Sequence, residues 1–271
     1  MIDSHHHFWK YSQREYGWIP NNMALLRRDY LPEHLQPEME AAGIEGTVAV
    51  QVRQSVEESR WLLALADGHQ FIRGVVGWAP LAAPGVDAVL ESLAANGRFK
   101  GVRHILQDEP ANNLMESSAF QGGVAALRRH SLSYDILIHE RHLGQAIRFV
   151  DHFPNQVLIL DHMAKPGIKN GAMEPWRTRL REIALRPNLY CKLSGMVTEA
   201  DWSQWQPSNL RPYFDHALEC FGPKRLMFGS DWPVALTASS YRRWYETVVG
   251  WLSESERARI MGGTAVEAYR L

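Results

Sequence analysis

Short β-rich runs alternate with amphipathic stretches along the whole chain, and this alternation limits the possible folds more than any other feature. The predicted strands are Met1–His5, Thr47–Val52, Ile72–Trp78, Lys100–Leu106, Asp135–His139, Val157–His162, Leu189–Ser194 and Arg225–Asp231. The predicted helices are Pro32–Ala42, Val56–Ala66, Pro84–Ala95, Ser118–Arg129, His142–His152, Pro175–Leu185, Asn209–Phe221 and Ser240–Leu252. Repeated βα units are typical of a parallel sheet. Eight of them in 271 residues predict one α/β domain over residues 1–271, a single (β/α)₈ TIM barrel.

Two segments lie outside this repeat. Gln13–Leu31 is a longer insertion after the first strand, and its aromatic residues favour a position over the mouth of the barrel. The terminal sequence GGTAVEAYRL predicts a closing helix capped by Thr264. We find no linker or composition break that would mark a second domain.

Composition and charge argue against several classes of function. The net charge is −1 and the pI is about 6.9, with no Lys/Arg run longer than two residues, so neither nucleic acid nor an anionic membrane is the expected partner. No apolar run approaches the roughly 20 residues of a membrane span. No Gly-x-Gly-x-x-Gly follows a strand, which disfavours a dinucleotide site. These features predict a cytoplasmic protein that acts on a small molecule, and they leave a homo-oligomer open.

The three consecutive histidines near the N-terminus are interpreted as a strand end rather than a purification tag. Apolar and aromatic residues flank them, and a tag normally has six or more histidines. Because alternate side chains of a strand share a face, Asp3, His5 and His7 are expected on one side and His6 on the other.

Other candidate site residues lie at the carboxyl ends of the predicted strands, where barrel enzymes carry their active sites. Strand 5 ends at His139, strand 6 at Asp161-His162 and strand 8 at Asp231. Strand parity favours His162 over Asp161, and Gly229 leaves room for Asp231 near the axis. Histidine and carboxylate side chains that converge in this way can bind a divalent ion such as zinc, and a carboxylate can take a proton from water.

Further polar and aromatic residues are expected to contact the substrate at the barrel mouth. They are Trp9, Gln51, Trp78, Arg103, His104, His139 and Lys165. Arginine with neutral donors and aromatic walls suits a polyhydroxylated ring or a carboxylate. The alternatives are that the tryptophans pack the barrel rim and that Lys165 is a loop residue. Lys192 is expected to point into the barrel, where it needs a carboxylate partner.

Six motifs together resemble the amidohydrolase superfamily, and within it the sugar-lactone hydrolases of the L-fucono-lactonase and L-rhamnono-lactonase types. The motifs are DSHHHFW, GTVAVQVRQS, KGVRHILQDEP, LDHMAKP, CKLSGMVTEADW and RLMFGSDWPV. The resemblance extends from Ile2 to Leu271. The chain departs from it at Thr264, where an asparagine is typical, and His139 occupies a position where this branch often has other residues.

The resemblance implies that an activated water hydrolyses a sugar (aldono) lactone to the sugar acid. Asp231 is then the general base, and His5, His7 and His162 polarise the carbonyl. The same four residues would be the ligands of a divalent metal, with zinc favoured, although metal dependence varies within this branch. No Gly-x-Ser-x-Gly motif supports a covalent serine route.

Three alternatives to lactone hydrolysis stay open from the sequence. A related non-oxidative decarboxylase would use nearly the same residues on an aromatic acid. An amidase or phosphodiesterase would more often use two metals bridged by a lysine on strand 4, where this chain has Arg103-His104. A barrel that binds sugar acids without turning them over is the third.

Overall fold

A computed structural model describes residues 1–109 and 114–271 of the chain, so Pro110, the last residue of the KGVRHILQDEP motif, lies outside the described part. The described residues form one eight-stranded sheet with the strand order of the sequence, and all neighbouring strands are parallel. The strands are β1 (Ile2–His6), β2 (Gly46–Val50), β3 (Ile72–Gly77), β4 (Phe99–Ile105), β5 (Ser133–Leu137), β6 (Leu158–Leu160), β7 (Leu189–Leu193) and β8 (Leu226–Phe228).

A helix follows each strand, as the sequence predicts. These helices are α1 (Pro32–Ala41), α2 (Val56–Gly68), α3 (Val86–Ala94), α4 (Ser118–Ala126), α5 (Leu143–Asp151), α6 (Trp176–Ile183), α7 (Pro207–Phe221) and α8 (Tyr241–Trp251). Serine caps α2, α4 and α8, where the side chains of Ser55, Ser117 and Ser240 each accept a backbone N–H of the first turn. Together with the parallel sheet, this confirms the (β/α)₈ barrel.

The sheet closes between its first and last strands, just beyond the end of β8. His6 and Trp232 form a parallel bridge. The His7 amide donates to the Trp232 carbonyl at 2.7 Å, and the Asp231 amide donates to the His5 carbonyl at 2.8 Å. Because closure occurs here, β1 and the turn after β8 meet at the carboxyl-end mouth of the barrel.

A compact apolar cluster fills the barrel interior below this mouth. It consists of Val48, Val50, Val76, Ile159 and Met227, together with Ala265, Ala268 and Tyr269. The last three belong to α10 (Thr264–Tyr269), which follows α9 (Glu254–Ala258) and a π-helical segment, Arg259–Gly263. The predicted closing helix therefore exists, and it plugs the end of the barrel opposite the mouth.

Two local predictions are wrong. Thr264 does not cap the closing helix: it is the first helical residue, and its hydroxyl donates to the Pro223 carbonyl at 3.0 Å. Asp3 does not share a face with His5, because the strand register shifts between Asp3 and His6. The Asp3 carboxylate instead accepts from the Ser230 amide at 2.9 Å and the Tyr241 hydroxyl at 3.1 Å. Among the described residues, no helix has both the length and the apolar character needed to cross a membrane.

Candidate active site

Three imidazoles and one carboxylate gather at the mouth of the barrel. His5 Nε2 lies 3.2 Å from His7 Nε2, and His7 Nε2 lies 3.4 Å from Asp231 Oδ1. The rings of His5 and His162 have centroids 4.5 Å apart. All four side chains are buried. The structure thus brings together the four residues that the sequence singled out from strands 1, 6 and 8.

Left-handed backbone turns place two of these residues. His162 and the three residues after it have φ angles between 51° and 60°, and Asp231 has a φ of 57°. Non-glycine residues rarely adopt this conformation, and runs of such residues tend to mark functional sites. The turn after β6 is held by the Trp176 indole, which donates to the Met163 carbonyl at 2.7 Å. The chain thus leaves the strand direction, and His162 reaches the mouth.

Two glycines leave room for the histidine rings. A Cβ atom on Gly195 would lie 2.6 Å from His162 Nδ1, and one on Gly229 would lie 2.7 Å from His5 Cβ. Gly195 also has a φ of 65°, which favours glycine. Both positions therefore require the smallest residue, and His5 rather than Asp231, for which the space was expected, lies against Gly229.

The strand-parity argument is wrong for Asp161. Its side chain is fully buried and points into the barrel on the same face as Ile159, where its Oδ2 accepts from Arg103 Nη1 at 3.0 Å. Lys192 Nζ lies 3.0 Å from Asp161 Oδ1 and 2.6 Å from Asp135 Oδ2. Lys192 was predicted to need a carboxylate partner, and the structure gives it two.

This buried ionic layer lies directly beneath the imidazole cluster. His5 Nδ1 is 3.1 Å from Lys192 Nζ and 3.5 Å from Asp161 Oδ1, while His5 Nε2 is 3.3 Å from Arg103 Nη1. Gln51 fixes Arg103 from both sides: its carbonyl accepts from the guanidinium and its side-chain amide donates to the Arg103 carbonyl. Asp135 is also paired, since Tyr269 of α10 donates its hydroxyl to it.

The environment sets the charge of each group. Burial would raise the pKa of Asp231, but the neighbouring His162, His7 and Lys165 side chains hold it below the usual value. Burial likewise acts against Asp161, yet Lys192, His5 and Arg103 hold its pKa well below the usual range. Burial lowers the pKa of His162 to about 4 and that of His5 well below 6.5, so both rings are neutral at pH 7. The site combines an ionised carboxylate with the neutral imidazoles of His5 and His162.

A cavity of about 370 Å³ opens above the cluster, within the roughly 300–1,000 Å³ typical of small-molecule sites. Of the predicted residues, its lining includes His7, Arg103, His162, Lys165 and Asp231. It also includes Trp18 from the insertion, which accordingly reaches over the mouth as predicted.

Five predicted substrate-binding residues are not brought to this lining. Trp9 is fully buried, donates its indole N–H to the Arg28 carbonyl and packs beneath the insertion. Gln51 lies behind Arg103, as described above. Trp78 and His104 contact each other rather than the cavity, because β4 turns Arg103 inward and His104 away from it. His139 is half-buried and begins a short 3₁₀ turn, with its amide 3.3 Å from His142 Nδ1.

Sequence reasoning missed several residues of the cavity wall. The polar ones are Gln54, Gln107, Asp108, Glu109 and Thr198, and the apolar ones are Val52, Ile105, Leu137 and Val234. Most lie in the loops after β2 and β4. The motifs GTVAVQVRQS and KGVRHILQDEP contained the signal, since polar residues just past the strand ends of a barrel point toward the mouth.

The donor set fits a divalent metal ion. A tetrahedral zinc with bonds of about 2.0–2.1 Å keeps neighbouring ligand atoms about 3.3–3.4 Å apart. The corresponding distances here are 3.2 Å between His5 and His7, 3.4 Å between His7 and Asp231 and 3.8 Å between His5 and Asp231. Candidate ligand atoms of His5, His162 and Asp231 all lie within 4.8 Å of one another.

Hydrogen bonds orient the rings for such a role. His7 Nδ1 must donate to the Val50 carbonyl at 2.8 Å, since a carbonyl only accepts, and this leaves the Nε2 lone pair toward the cluster. His162 Nδ1 is held by Ser194 Oγ at 2.8 Å. Partners of this kind behind the ring are typical of metal-binding histidines.

Histidines from the first and sixth strands and an aspartate after the eighth form the site of a barrel enzyme, and comparison with known proteins identifies the family. The family model described as amidohydrolase matches residues 2–271, and the chain belongs to this family.

Similar proteins point in the same direction. An L-fucono-1,5-lactonase from Burkholderia multivorans is 42% identical over 100% of this chain and 96% of its own length. A second L-fucono-1,5-lactonase, from Burkholderia ambifaria, is 35% identical over 100% of this chain and 95% of its own length. The crystal structure of an amidohydrolase from Burkholderia multivorans with bound zinc superposes with a TM-score of 0.94 at 42% identity, over 100% of this chain and 99% of that one.

Proposed function

We propose that this protein hydrolyses a sugar (aldono) lactone to its sugar acid by means of an activated water. The observation that carries the proposal is the ionised carboxylate of Asp231, held against imidazoles at the floor of a cavity that also exposes the cations of Arg103 and Lys165. The two full-length lactonase relatives support the substrate class.

Asp231 is the proposed general base. Its carboxylate is ionised at neutral pH and lines the cavity, so it can accept the proton of a water that attacks the lactone carbonyl. Negative charge then develops on the carbonyl oxygen. Arg103 supplies a fixed positive charge there, because Asp161 and Gln51 hold its guanidinium in place and no reorientation is needed during the reaction.

Residues of the cavity can also assist ring opening and bind the product. Ring opening converts the ester oxygen into a hydroxyl and leaves a carboxylate, and Lys165 and Arg103 can pair with this product. Asp231, protonated in the first step, is placed to return its proton to the leaving ring oxygen.

A divalent ion, zinc being favoured, is proposed to bind His5, His7, His162 and Asp231. Such an ion supplies Lewis-acid polarisation of the carbonyl and lowers the pKa of a bound water. The donor geometry described above and the zinc in the structure of the Burkholderia multivorans amidohydrolase support this assignment. Loss of activity in the presence of a chelator would show that hydrolysis requires the ion. The cytoplasmic location and a homo-oligomer stay predictions.

The test is a panel of aldonolactones, L-fucono-1,5-lactone among them, with acid release followed by a pH indicator with and without a chelator. We expect stoichiometric acid from at least one lactone and no CO₂. Release of CO₂ from a hydroxybenzoic acid instead would favour the decarboxylase reading. Binding of lactones without any acid release would contradict hydrolysis and favour a binding protein.

A further inference from the structure

Three residues behind and beside the cavity form a directed hydrogen-bond chain that the proposed chemistry does not use. Trp78, just after β3, places its indole nitrogen 3.3 Å from Nδ1 of His104 in β4. On the other side of the ring, His104 Nε2 lies 2.7 Å from Oε1 of Glu109. Glu109 lines the cavity, whereas Trp78 and His104 do not.

The direction of this chain follows from the donors. An indole N–H can only donate, so His104 Nδ1 is the acceptor. A neutral imidazole has a single N–H, which must then be on Nε2 and must donate to the Glu109 carboxylate. Burial lowers the pKa of His104, with Glu109 opposing this effect, so the neutral tautomer is the expected form. Trp78 and His104 therefore hold one oxygen of Glu109 and leave the other as an acceptor.

Glu109 lies nearer to the cavity opening than the catalytic groups. Its side chain is 32% exposed, whereas that of Arg103 is 3% exposed. Asp108, Gln54 and Gln107 line the same cavity. The polar wall contributed by the loops after β2 and β4 is thus acidic or neutral, while the floor carries the cation that the reacting carbonyl requires.

We propose that Glu109 is a specificity residue that accepts hydrogen bonds from hydroxyl groups of the bound lactone and disfavours lactones that carry a carboxylate. The proposal rests on the function proposed above and adds a recognition residue to it. Hydroxyl groups donate strongly to a fixed carboxylate, whereas a second carboxylate would face a like charge. His104 and Trp78 are positioning residues, since they act on the substrate only through Glu109.

The main test is Glu109→Gln, which keeps an oxygen to accept from His104 but removes the charge. For a neutral aldonolactone we expect KM to rise about 10-fold while kcat stays within about twofold, because the lost hydrogen bond is present in ground and transition states alike. The ratio of kcat/KM for a carboxylate-bearing lactone to that for the neutral one should rise by about the same factor.

Two further variants distinguish a loss of substrate recognition from a nonspecific effect of substitution. Trp78→Phe removes the indole donor and frees His104 to reorient, so it should change KM in the same direction. Glu116→Gln is the matched control: Glu116 pairs with Arg148 on the surface and is outside the cavity lining, and its kinetics should equal those of the wild type.

An unchanged KM and unchanged charge preference in Glu109→Gln would overturn the proposal, as would a fall in kcat alone. If the wild type hydrolyses no aldonolactone, the proposed function fails, but Glu109 is still tested by calorimetric binding of the matching aldonolactams. About 10-fold weaker lactam binding by Glu109→Gln supports its role, and equal binding or none by both proteins contradicts it.

Discussion

At the scale of single residues, Asp231 is the group on which the proposed chemistry depends most. Asp231→Asn keeps the size of the side chain, and asparagine tolerates the φ of 57° at this position. Because the amide can no longer accept the proton of the attacking water, and because a proposed metal ligand is lost with it, we expect kcat to fall at least about 100-fold, with KM changed by no more than a few-fold. Steady-state kinetics measure this loss, and a thermal unfolding curve shows whether the variant is folded. A folded variant with near-normal kcat would remove Asp231 from the chemistry.

Lys192 is the second residue for which the structure makes a sharp prediction. Its ammonium group is fully buried between the carboxylates of Asp135 and Asp161. Lys192→Met leaves both carboxylates without this partner, so we expect the free energy of unfolding to fall by about 3–5 kcal/mol in urea denaturation. The double variant Lys192→Met/Asp135→Asn removes one unpaired charge and should recover part of that loss. No recovery would mean that the loss comes from packing rather than charge.

Residue positions were predicted correctly where strand alternation alone determines them. The prediction failed where the chain leaves the strand through a left-handed turn. His5 and His7 follow from strand alternation. His162 was selected by parity, yet it reaches the mouth through a left-handed turn, and Asp161 is the residue that follows the strand face. The direction of Glu109 depends on Trp78 and His104, which are distant in sequence or turned out of the cavity, so no local pattern could indicate it.

At the scale of secondary-structure elements, the helices lie within a few residues of their predicted bounds, and three of them, α2, α4 and α8, begin at serine caps. The loop before α2 illustrates this: Ser55 caps the helix, and Glu58 accepts the amides of Val52 and Arg53 at 3.1 and 2.7 Å. By contrast, β6 and β8 are shorter than predicted. The residues after each strand stay buried, and a positive φ at His162 or Asp231 cannot be inferred from residue types alone.

Glu58 gives this element a pH dependence. Burial, opposed by the hydrogen bonds from Arg53 and Val52, raises its pKa from 4.5 to about 7. Between these values the folded protein holds a proton that the unfolded chain releases, so the free energy of unfolding falls as pH rises through this window. The loss is on the order of 3 kcal/mol. Denaturant unfolding at several pH values measures this dependence. For Glu58→Gln the free energy of unfolding should fall less steeply with pH than it does for the wild type.

The exposed neighbour Glu57 provides the control for this prediction. Glu57→Gln changes the same charge in the same turn without a buried environment, so its slope should match that of the wild type. Equal slopes for Glu58→Gln and the wild type would show that Glu58 is ionised in the folded protein throughout the range.

At the scale of the whole molecule, the site lies across the seam that closes the barrel. Among the described residues, seven strand pairs each share several paired residues, whereas the eighth contact joins β1 to the turn after β8 by a single bridge and two nearby backbone hydrogen bonds. His5 and Asp231 lie on opposite sides of this seam, and His162 approaches from the turn after β6. Any ligand shared by these three side chains therefore links the two ends of the sheet.

This arrangement predicts that zinc stabilises the fold. An ion that binds only the folded state adds about 2.7 kcal/mol at 100 times its Kd, which for a chain of this size raises Tm by about 5 °C. Calorimetry of chelator-treated protein, with zinc added stepwise, measures the shift. His162→Ala and Asp231→Asn each remove a proposed ligand and should lose most of it. His152→Gln, an exposed position outside the cluster, should keep it in full. An equal shift in all three variants would mean that zinc binds elsewhere and that the cluster works through its hydrogen bonds alone.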